Sequence, residues 1–215
     1  MLQNHKYKML KEMETRYYIY SLFKIYYQGD WQAIDKALQA VNDHQDDNGQ
    51  SAEPLINGLL KKISKINLVM DENSIYEYNK LFVGPGKLLA SPFESSYRNQ
   101  LGLVMQDETV AVRNFYKKIG VEVKGKNGVP DDHLALELEF ICYLLAQAAK
   151  QIDKEQSASP NEYLLLYKLF FVQHIKPWVY EHCNDVLLHG VNPFCHGMAE
   201  IFKEFLEGEE GQNAM

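Results

Sequence analysis

The chain has 215 residues, of which 46% are apolar and 24% are charged, and its net charge is −7. This composition is typical of a soluble globular protein with a sizeable core. The acidic balance argues against nucleic acid or an anionic membrane as the main partner, because both attract basic surfaces. It suits a partner that carries positive charge.

The sequence shows none of the usual signals for secretion or membrane insertion. Residues 1–16 mix lysine, glutamate and apolar residues, without the apolar core of a secretion signal. The chain contains no apolar run of about 18 residues, so no integral membrane segment is predicted. Its three cysteines form no CxxC pair, and their odd number favours reduced thiols. We therefore expect a cytoplasmic protein.

Apolar residues recur at helical spacing along most of the chain, and no alternating strand pattern of useful length occurs. The predicted fold class is all-α, a single globular domain of roughly eight to ten helices. In chain order the predicted helices are 7–28, 31–44, one that begins near Pro54, 73–82, 107–119, 131–152, 161–174 and 193–206.

Three segments between or after these helices have distinct characters. Residues 83–96 contain glycine and proline and lack a helical period, so they are expected to form an ordered or functional loop. Residues 120–130 contain three glycines and are predicted to be a linker that can act as a hinge. The acidic tail, residues 207–215, is predicted to fray.

The first candidate site is the loop 83–96. Gly84 permits backbone conformations closed to other residues, and Pro85 fixes φ and has no N–H group. Bulky apolar residues flank this turn: Leu81, Phe82, Phe93 and Tyr97. An extended peptide can dock on such a surface through apolar pockets and free backbone groups. Alternatively, the same aromatic residues fold the loop onto the protein's own core, and composition alone favours this second interpretation.

The second candidate site is a helix start that contains Pro130, Asp131, Asp132 and His133. Aspartate suits this position because it caps free N–H groups and faces the positive end of the helix dipole. Glu137 lies four residues after His133, on the same side of the helix, where its carboxylate can hold the imidazole or attract a cation. A plain helix cap explains the aspartates equally well.

No common catalytic motif occurs: the sequence has no GxGxxG after a strand, no P-loop, no HExxH and no GxSxG. The histidines and cysteines of residues 182–196 have types that suit zinc, but their spacing matches no compact ligand pattern. The chain is therefore predicted to be no enzyme and to bind no metal or cofactor. An enzymatic role, as a helical hydrolase or a nucleotide-binding protein, ranks last among the hypotheses.

Three runs of sequence resemble a known family, the TorD/DmsD chaperones. LFVGPGKLLASPFESSY, residues 81–97, resembles the family's helix that ends in an LF-x-GP turn and its Pro-aromatic-E-S-x-Y element. PDDHLALELEF, residues 130–140, resembles the family's P-x-D-H helix start followed by ELEF. FYKKIGVEV, residues 115–123, lies between them and resembles the FY-x-x-x-G-hydrophobic stretch.

The resemblance implies an all-helical chaperone for the apo form of a molybdopterin oxidoreductase, of the dimethyl sulfoxide or trimethylamine N-oxide reductase type. Such a chaperone binds the twin-arginine signal peptide, supports cofactor insertion and prevents premature export through the Tat translocase. Carboxylates such as Asp132 and Glu137 would pair with the arginines. The alternative is a helical adaptor that binds the folded body of a partner and not its signal peptide.

Residues that match the family's motifs are the peptide-binding candidates, and Glu137 joins them because of its charge. They are Leu81, Phe82, Gly84, Pro85, Pro130, Asp132, His133 and Glu137. Asp132 is preferred to Asp131 for the family's aspartate because it directly precedes His133. Other residues match the signature and are expected to form a scaffold: Pro92, Phe93, Glu94, Ser95 and Tyr97.

Overall fold

A computed structural model describes residues 2–45, 54–63, 65, 72–123, 128–154 and 161–213. Within these ranges the chain forms ten α-helices and one π-helical segment, and its β-type pairing is limited to one isolated bridge. None of the helices in the described ranges combines the length and apolarity needed to cross a membrane. The predicted all-α class is confirmed.

The elements, in chain order, are α1 (Leu2–Gln28), α2 (Trp31–Gln45), α3 (Pro54–Ile63), α4 (Glu72–Phe82), α5 (Glu94–Arg98), α6 (Asp107–Lys118), α7 (Leu134–Lys154), α8 (Glu162–Phe170), the π-helical segment (Phe171–Ile175), α9 (Val179–His189) and α10 (Pro193–Asn213). Helix periodicity therefore predicted most of these elements, because apolar spacing is a local property of the sequence.

Three predicted boundaries need correction. The loop 83–96 contains the start of the short helix α5. The central helix α7 begins at Leu134 and not at Asp131, because the two aspartates make contacts outside that helix. The predicted helix 161–174 changes to π-helical geometry at Phe171. The hinge predicted for 120–130 stays a prediction, and its residues 124–127 lie outside the described residues.

Helix α7 forms the middle of the core, where it packs against α1 and α8. An apolar stripe on this helix is buried: Leu134, Leu138 and Ile141 are fully inaccessible, and Leu145 is nearly so. Burial of each such side chain stabilises the fold by about 1.5–3 kcal/mol. The C-terminal helix α10 packs against α9 and α3.

The acidic tail belongs to α10, which continues to Asn213. Glu209 is buried and accepts a hydrogen bond from Nε of Arg16, on α1, at 2.8 Å. The hydroxyl of Tyr167 also donates to Glu209. The tail is therefore helical to Asn213, and a buried ion pair joins the C-terminal helix to the N-terminal one. The predicted fraying of residues 207–215 stays a prediction. Residues 214–215 lie outside the described residues.

We expect Glu209→Ala to lower the free energy of unfolding by about 3 kcal/mol, because it removes the carboxylate that compensates the buried guanidinium of Arg16. Glu210→Ala is the matched control. Its carboxylate pairs with Lys176 near the surface, at 3.2 Å, and its loss is expected to cost less than about 1 kcal/mol. Urea denaturation followed by circular dichroism measures both values. Equal losses would contradict a stabilising role of the buried ion pair between Arg16 and Glu209.

Candidate functional site

The two signature segments lie side by side and pair through their backbones. Phe93 and His133 form an isolated antiparallel bridge. The backbone N–H of Leu134 donates to the carbonyl of Pro92 at 2.8 Å. The rings of Phe93 and His133 meet edge to face, with centroids 5.0 Å apart. Two segments that are distant in sequence thus form one structural unit.

Asp132 fastens this unit to two further helices. Its side chain is fully buried. One carboxylate oxygen accepts a hydrogen bond from the backbone N–H of Ser95 at 2.9 Å, and the other accepts from the Thr109 hydroxyl at 2.8 Å. Ser95 lies in the first turn of α5 and Thr109 in the first turn of α6. A single carboxylate therefore holds the beginnings of α5 and α6 against the start of α7.

Glu94 is the second buried carboxylate of the site. It forms a hydrogen bond with Nδ1 of His174 at 2.9 Å and an ion pair with Arg98. Arg98 also donates to the carbonyl of Gln173 at 3.0 Å. Since His174 and Gln173 belong to the π-helical segment, Glu94 and Arg98 join α5 to that segment. Neither His174 nor Gln173 was a sequence-based candidate, because their distance along the chain hides this contact.

Glu137 is the third buried carboxylate, and its environment differs from that of the other two. Neither of its side-chain oxygens has a hydrogen-bond partner among the described residues. Burial raises the pKa of Glu137 well above its usual value, and the charges of Glu94 and Asp132 raise it further. Both effects favour the protonated form of the carboxyl over the ionised one. A buried acid whose ionised form is disfavoured in this way is a poor partner for a cation.

His133 caps α7. Its Nδ1 accepts a hydrogen bond from the backbone N–H of Ala135 at 3.1 Å, so the ring proton is on Nε2. Burial lowers the pKa of His133 to about 4, so the ring is neutral at pH 7. The predicted aspartate cap of this helix is wrong, as is the side-chain pair between His133 and Glu137. Asp131 instead accepts a hydrogen bond from Nε of Arg113 at 2.8 Å.

His182, on α9, anchors the chain just before the second signature element. One ring nitrogen lies 2.9 Å from the carbonyl of Ser91 and the other 2.9 Å from the hydroxyl of Tyr27. A carbonyl can only accept, so Nδ1 donates and Nε2 accepts. Burial lowers the pKa of His182 to about 3 and keeps the ring neutral. Nearby, the Tyr97 hydroxyl donates to Asp185 at 2.9 Å.

Burial divides the predicted peptide-binding residues into two groups. Leu81, Phe82, Asp132 and Glu137 are each exposed by 5% or less. These four side chains present little surface to a docked peptide in this structure, and their role in peptide binding stays a prediction. Leu81 and Phe82 occupy the inward face at the end of α4, where Phe82 packs against aromatic rings of α1 and α9. The other four are partly or fully exposed: Gly84, Pro85, Pro130 and His133.

The turn after α4 is ordered and projects from the surface. Gly84 has a φ of +104° and donates its N–H to the carbonyl of Asn79 at 2.7 Å. A side chain would be strained at this φ, which explains the glycine. Lys80 and Lys87 are both exposed beside the turn. The surroundings of Pro85 are therefore basic and do not favour the arginines of a peptide.

Pro130 lines a separate groove next to the beginning of α6. The groove encloses about 350 Å³, and its wall includes Met105, Thr109, Val110, Val129 and Pro130. An ion pair between Arg113 and Asp131, 2.7 Å long, lines the same groove. Since these two charges neutralise each other, the remaining lining is mainly apolar. The groove thus offers apolar surface directly beside the second signature segment.

Comparison with known proteins identifies the family. Residues 32–184 match the family described as "Nitrate reductase delta subunit", and this range contains both signature segments. The chain belongs to this family. The Tat proofreading chaperone DmsD of Salmonella typhimurium strain LT2 is 24% identical over 156 residues, which are 72% of this chain and 70% of the relative.

Chaperones named TorD match a shorter part of the chain. The TorD protein of Vibrio cholerae strain M66-2 is 32% identical over 103 residues, which are 48% of this chain and 45% of that protein. The TorD protein of Photobacterium profundum is 28% identical over 114 residues, which are 53% and 46% of the two chains. The predicted resemblance to the TorD/DmsD family is confirmed.

We expect Asp132→Ala to lower the free energy of unfolding by about 3 kcal/mol, because Ser95 N–H and the Thr109 hydroxyl both lose a charged acceptor in a buried place. Glu139→Ala, on the helix that follows Asp132, is the control, since Glu139 is exposed. Its effect should stay within about 0.5 kcal/mol. Urea denaturation measures the free energy of unfolding of both variants. A loss for Asp132→Ala as small as for the control would contradict a stabilising role of the Asp132 hydrogen bonds.

His182 makes stability depend on pH. The unfolded chain protonates this histidine near pH 6.5, whereas the folded protein resists protonation down to about pH 3. Stability is therefore lost as pH falls through and below 6.5. His182→Gln should reduce the slope of unfolding free energy between pH 6 and 5 by about 1.4 kcal/mol per pH unit. Denaturation at several pH values tests this; the same change in the exposed-site control His189→Gln would contradict it.

Proposed function

We propose that this protein is a cytoplasmic chaperone that binds the twin-arginine signal peptide of a molybdopterin oxidoreductase. It holds the apo catalytic subunit until the cofactor is inserted and so delays export through the Tat translocase. The family match over residues 32–184, together with the relatives named DmsD and TorD, supports this proposal. The DmsD relative is a Tat proofreading chaperone by name, which connects that relative with this export route.

The charge of the protein suits such a partner. A twin-arginine leader carries two guanidinium groups ahead of an apolar stretch, and the chain has a net charge of −7. Opposite charge speeds encounter and disfavours wrong partners more than it adds affinity. The apolar stretch then requires an exposed apolar surface, which the groove beside Pro130 provides. Binding of this kind involves no covalent chemistry.

The buried residues of the signature serve this function indirectly. Asp132 and Glu94 fix α5, α6 and the π-helical segment relative to α7, so they hold the surface in place. Among the family-matched candidates, direct contact with the peptide is proposed for Gly84, Pro85, Pro130 and His133, which are partly or fully exposed. In this proposal, the buried half of the peptide-binding candidates supports binding by fixing the shape of the surface, and the exposed half contacts the peptide.

A second surface favours the adaptor as the alternative function. Ile75 and Tyr76 of α4 are exposed, as are Leu188 and Val191 around the end of α9. These two stretches adjoin, because Asn192 donates a hydrogen bond to the hydroxyl of Ser74 at 2.9 Å. Exposed apolar residues that cluster in this way are typical of a protein-binding surface. Such a surface suits contact with the folded body of a partner.

Calorimetric titration distinguishes the two functions. The titrants are a synthetic peptide with an Arg-Arg leader and apolar stretch, the same peptide with Gln-Gln, and a reductase catalytic subunit that lacks its leader. The chaperone should bind the Arg-Arg peptide about tenfold more tightly than the Gln-Gln peptide, because charge-assisted hydrogen bonds are lost. Binding of the leaderless subunit without any binding of the peptide would reject the proposal in favour of the adaptor.

A further inference from the structure

We propose that the signal peptide's apolar stretch docks on an apolar rim formed around the loop 99–106, with its two arginines at the acidic start of α6. This inference rests on the proposed function and assigns the surface that the peptide occupies. The apolar rim is defined by Leu101, Leu103, Val104, Met105, Val110 and Val129.

The apolar rim is strongly exposed. Leu101 is 79% accessible and Met105 is 62% accessible, and the other members are exposed by 40% or more. Met105, Val110 and Val129 also line the groove beside Pro130, so loop, helix and the segment before α7 present one surface. Scattered single apolar residues on a surface are ordinary, but a contiguous cluster indicates an interaction site.

Specific hydrogen bonds shape the loop and turn its apolar side chains outward. The side-chain oxygen of Asn99 accepts from the N–H groups of Leu101 and Leu103, both at 3.0 Å. Its amide nitrogen donates to the carbonyl of Leu103 at 2.6 Å. Gln106 donates to the carbonyl of Val104 at 2.9 Å. The side chains of Asn99 and Gln106 thus form hydrogen bonds with the backbone of the loop. The apolar side chains of the loop are exposed and available to another molecule.

The loop also contains a strained residue. Met105 has a φ of +62°, in the left-handed region that is unfavourable for a side chain without a local hydrogen-bonding group. Conformations of this kind cost about 1–3 kcal/mol and cluster at binding sites. Here the strain places a flexible, polarisable thioether at the mouth of the groove, and methionine adapts well to apolar chains of varied shape.

Asp132 holds both ends of this loop. It accepts a hydrogen bond from Ser95, in the helix that ends one residue before Asn99, and from Thr109, three residues after Gln106. The distance between the loop's two ends therefore depends on one buried carboxylate. We assign Asp132 as a positioning residue for the apolar rim, which is consistent with its lack of exposure.

Charge identifies the end of the surface that receives the arginines. Asp107 and Glu108 begin α6 directly after the loop, and one oxygen of Glu108 is buried with no hydrogen-bond partner among the described residues. Arg113, one to two turns further along α6, is already paired with Asp131. Within the described ranges neither Asp107 nor Glu108 forms a salt bridge, so the start of α6 offers negative charge next to an apolar surface. A twin-arginine leader combines an apolar stretch with positive charge and is complementary to this surface.

Titration of the full-length protein with the Arg-Arg peptide tests the apolar half. Leu101→Ser with Leu103→Ser should weaken peptide affinity at least about tenfold, because two leucine contacts are lost. Leu188→Ser with Val191→Ser is the matched control, since Leu188 and Val191 are each 75% exposed at the other apolar surface. The control should bind within about twofold of the wild type. Equal weakening in both, or none in the first, overturns the assignment.

A second pair of variants tests the acidic half. Asp107→Asn with Glu108→Gln should weaken the Arg-Arg peptide about fivefold, leave the Gln-Gln peptide unchanged and reduce the salt dependence of binding. Glu200→Gln, at an exposed position of α10, is the control. If the acidic variant still prefers Arg-Arg as strongly as the wild type, the arginines bind elsewhere and this half of the inference is wrong.

The positioning role of Asp132 is tested through its partner. Thr109→Val removes the hydroxyl that donates to Asp132 but keeps the side-chain shape, and Thr109→Ser keeps the hydroxyl. The valine variant should bind the peptide about fivefold more weakly, because a buried carboxylate loses one donor. The serine variant should restore affinity. If the wild-type chain binds no peptide at all, both the proposed function and this inference fail. If the wild type binds the peptide and Thr109→Val binds it equally tightly, the positioning role of Asp132 is wrong and the proposed function stands.

Discussion

A carboxylate that is removed from water must be compensated, and the hydrogen bonds that compensate Asp132 organise the rest of this structure. Its two acceptor oxygens fix the beginnings of α5 and α6 at the start of α7. Glu94, close by, is compensated by His174 and Arg98 and brings in the π-helical segment. Glu137 is the third acid of the group, and burial together with the charges of Glu94 and Asp132 raises its pKa well above the usual value. The three acids therefore differ in how the loss of hydration is compensated: by hydrogen bonds at Asp132, by an ion pair at Glu94 and by a raised pKa at Glu137.

This arrangement changes how the family signature is understood at the atomic level. The aspartate and histidine of the helix start are separated in role by burial, since Asp132 points into the protein whereas His133 caps α7 and is partly exposed. Leu81 and Phe82 end α4 inside an aromatic core. Buried motif residues of this kind fix the position of neighbouring segments, such as the loop 99–106, whose exposed side chains form the surface. The exposed residues of loop 99–106 carry no recognisable motif of their own.

A preformed surface suits the proposed function, in which the protein binds a flexible leader peptide. A peptide loses conformational freedom when it binds, and a rigid partner adds no further ordering cost. The hydrogen bonds of Asn99 and Asp132 hold the loop in one conformation without a bound peptide. Burial keeps His133 and His182 neutral at physiological pH. In the proposed docking mode, recognition of basic groups depends on Asp107 and Glu108 at the start of α6.

The sequence alone determined the all-α class, the approximate helices and the family, because apolar periodicity and short motifs are local properties. It also identified the two segments that pair. Only the tertiary structure decided which motif residues are accessible, because the partners of Asp132 lie 37 and 23 residues away along the chain. The same holds for the C-terminal helix: its acidic end looks unstable locally, but Arg16, 193 residues earlier, neutralises Glu209. Contacts of such long range depend on how the helices pack, and helix periodicity carries no information about them.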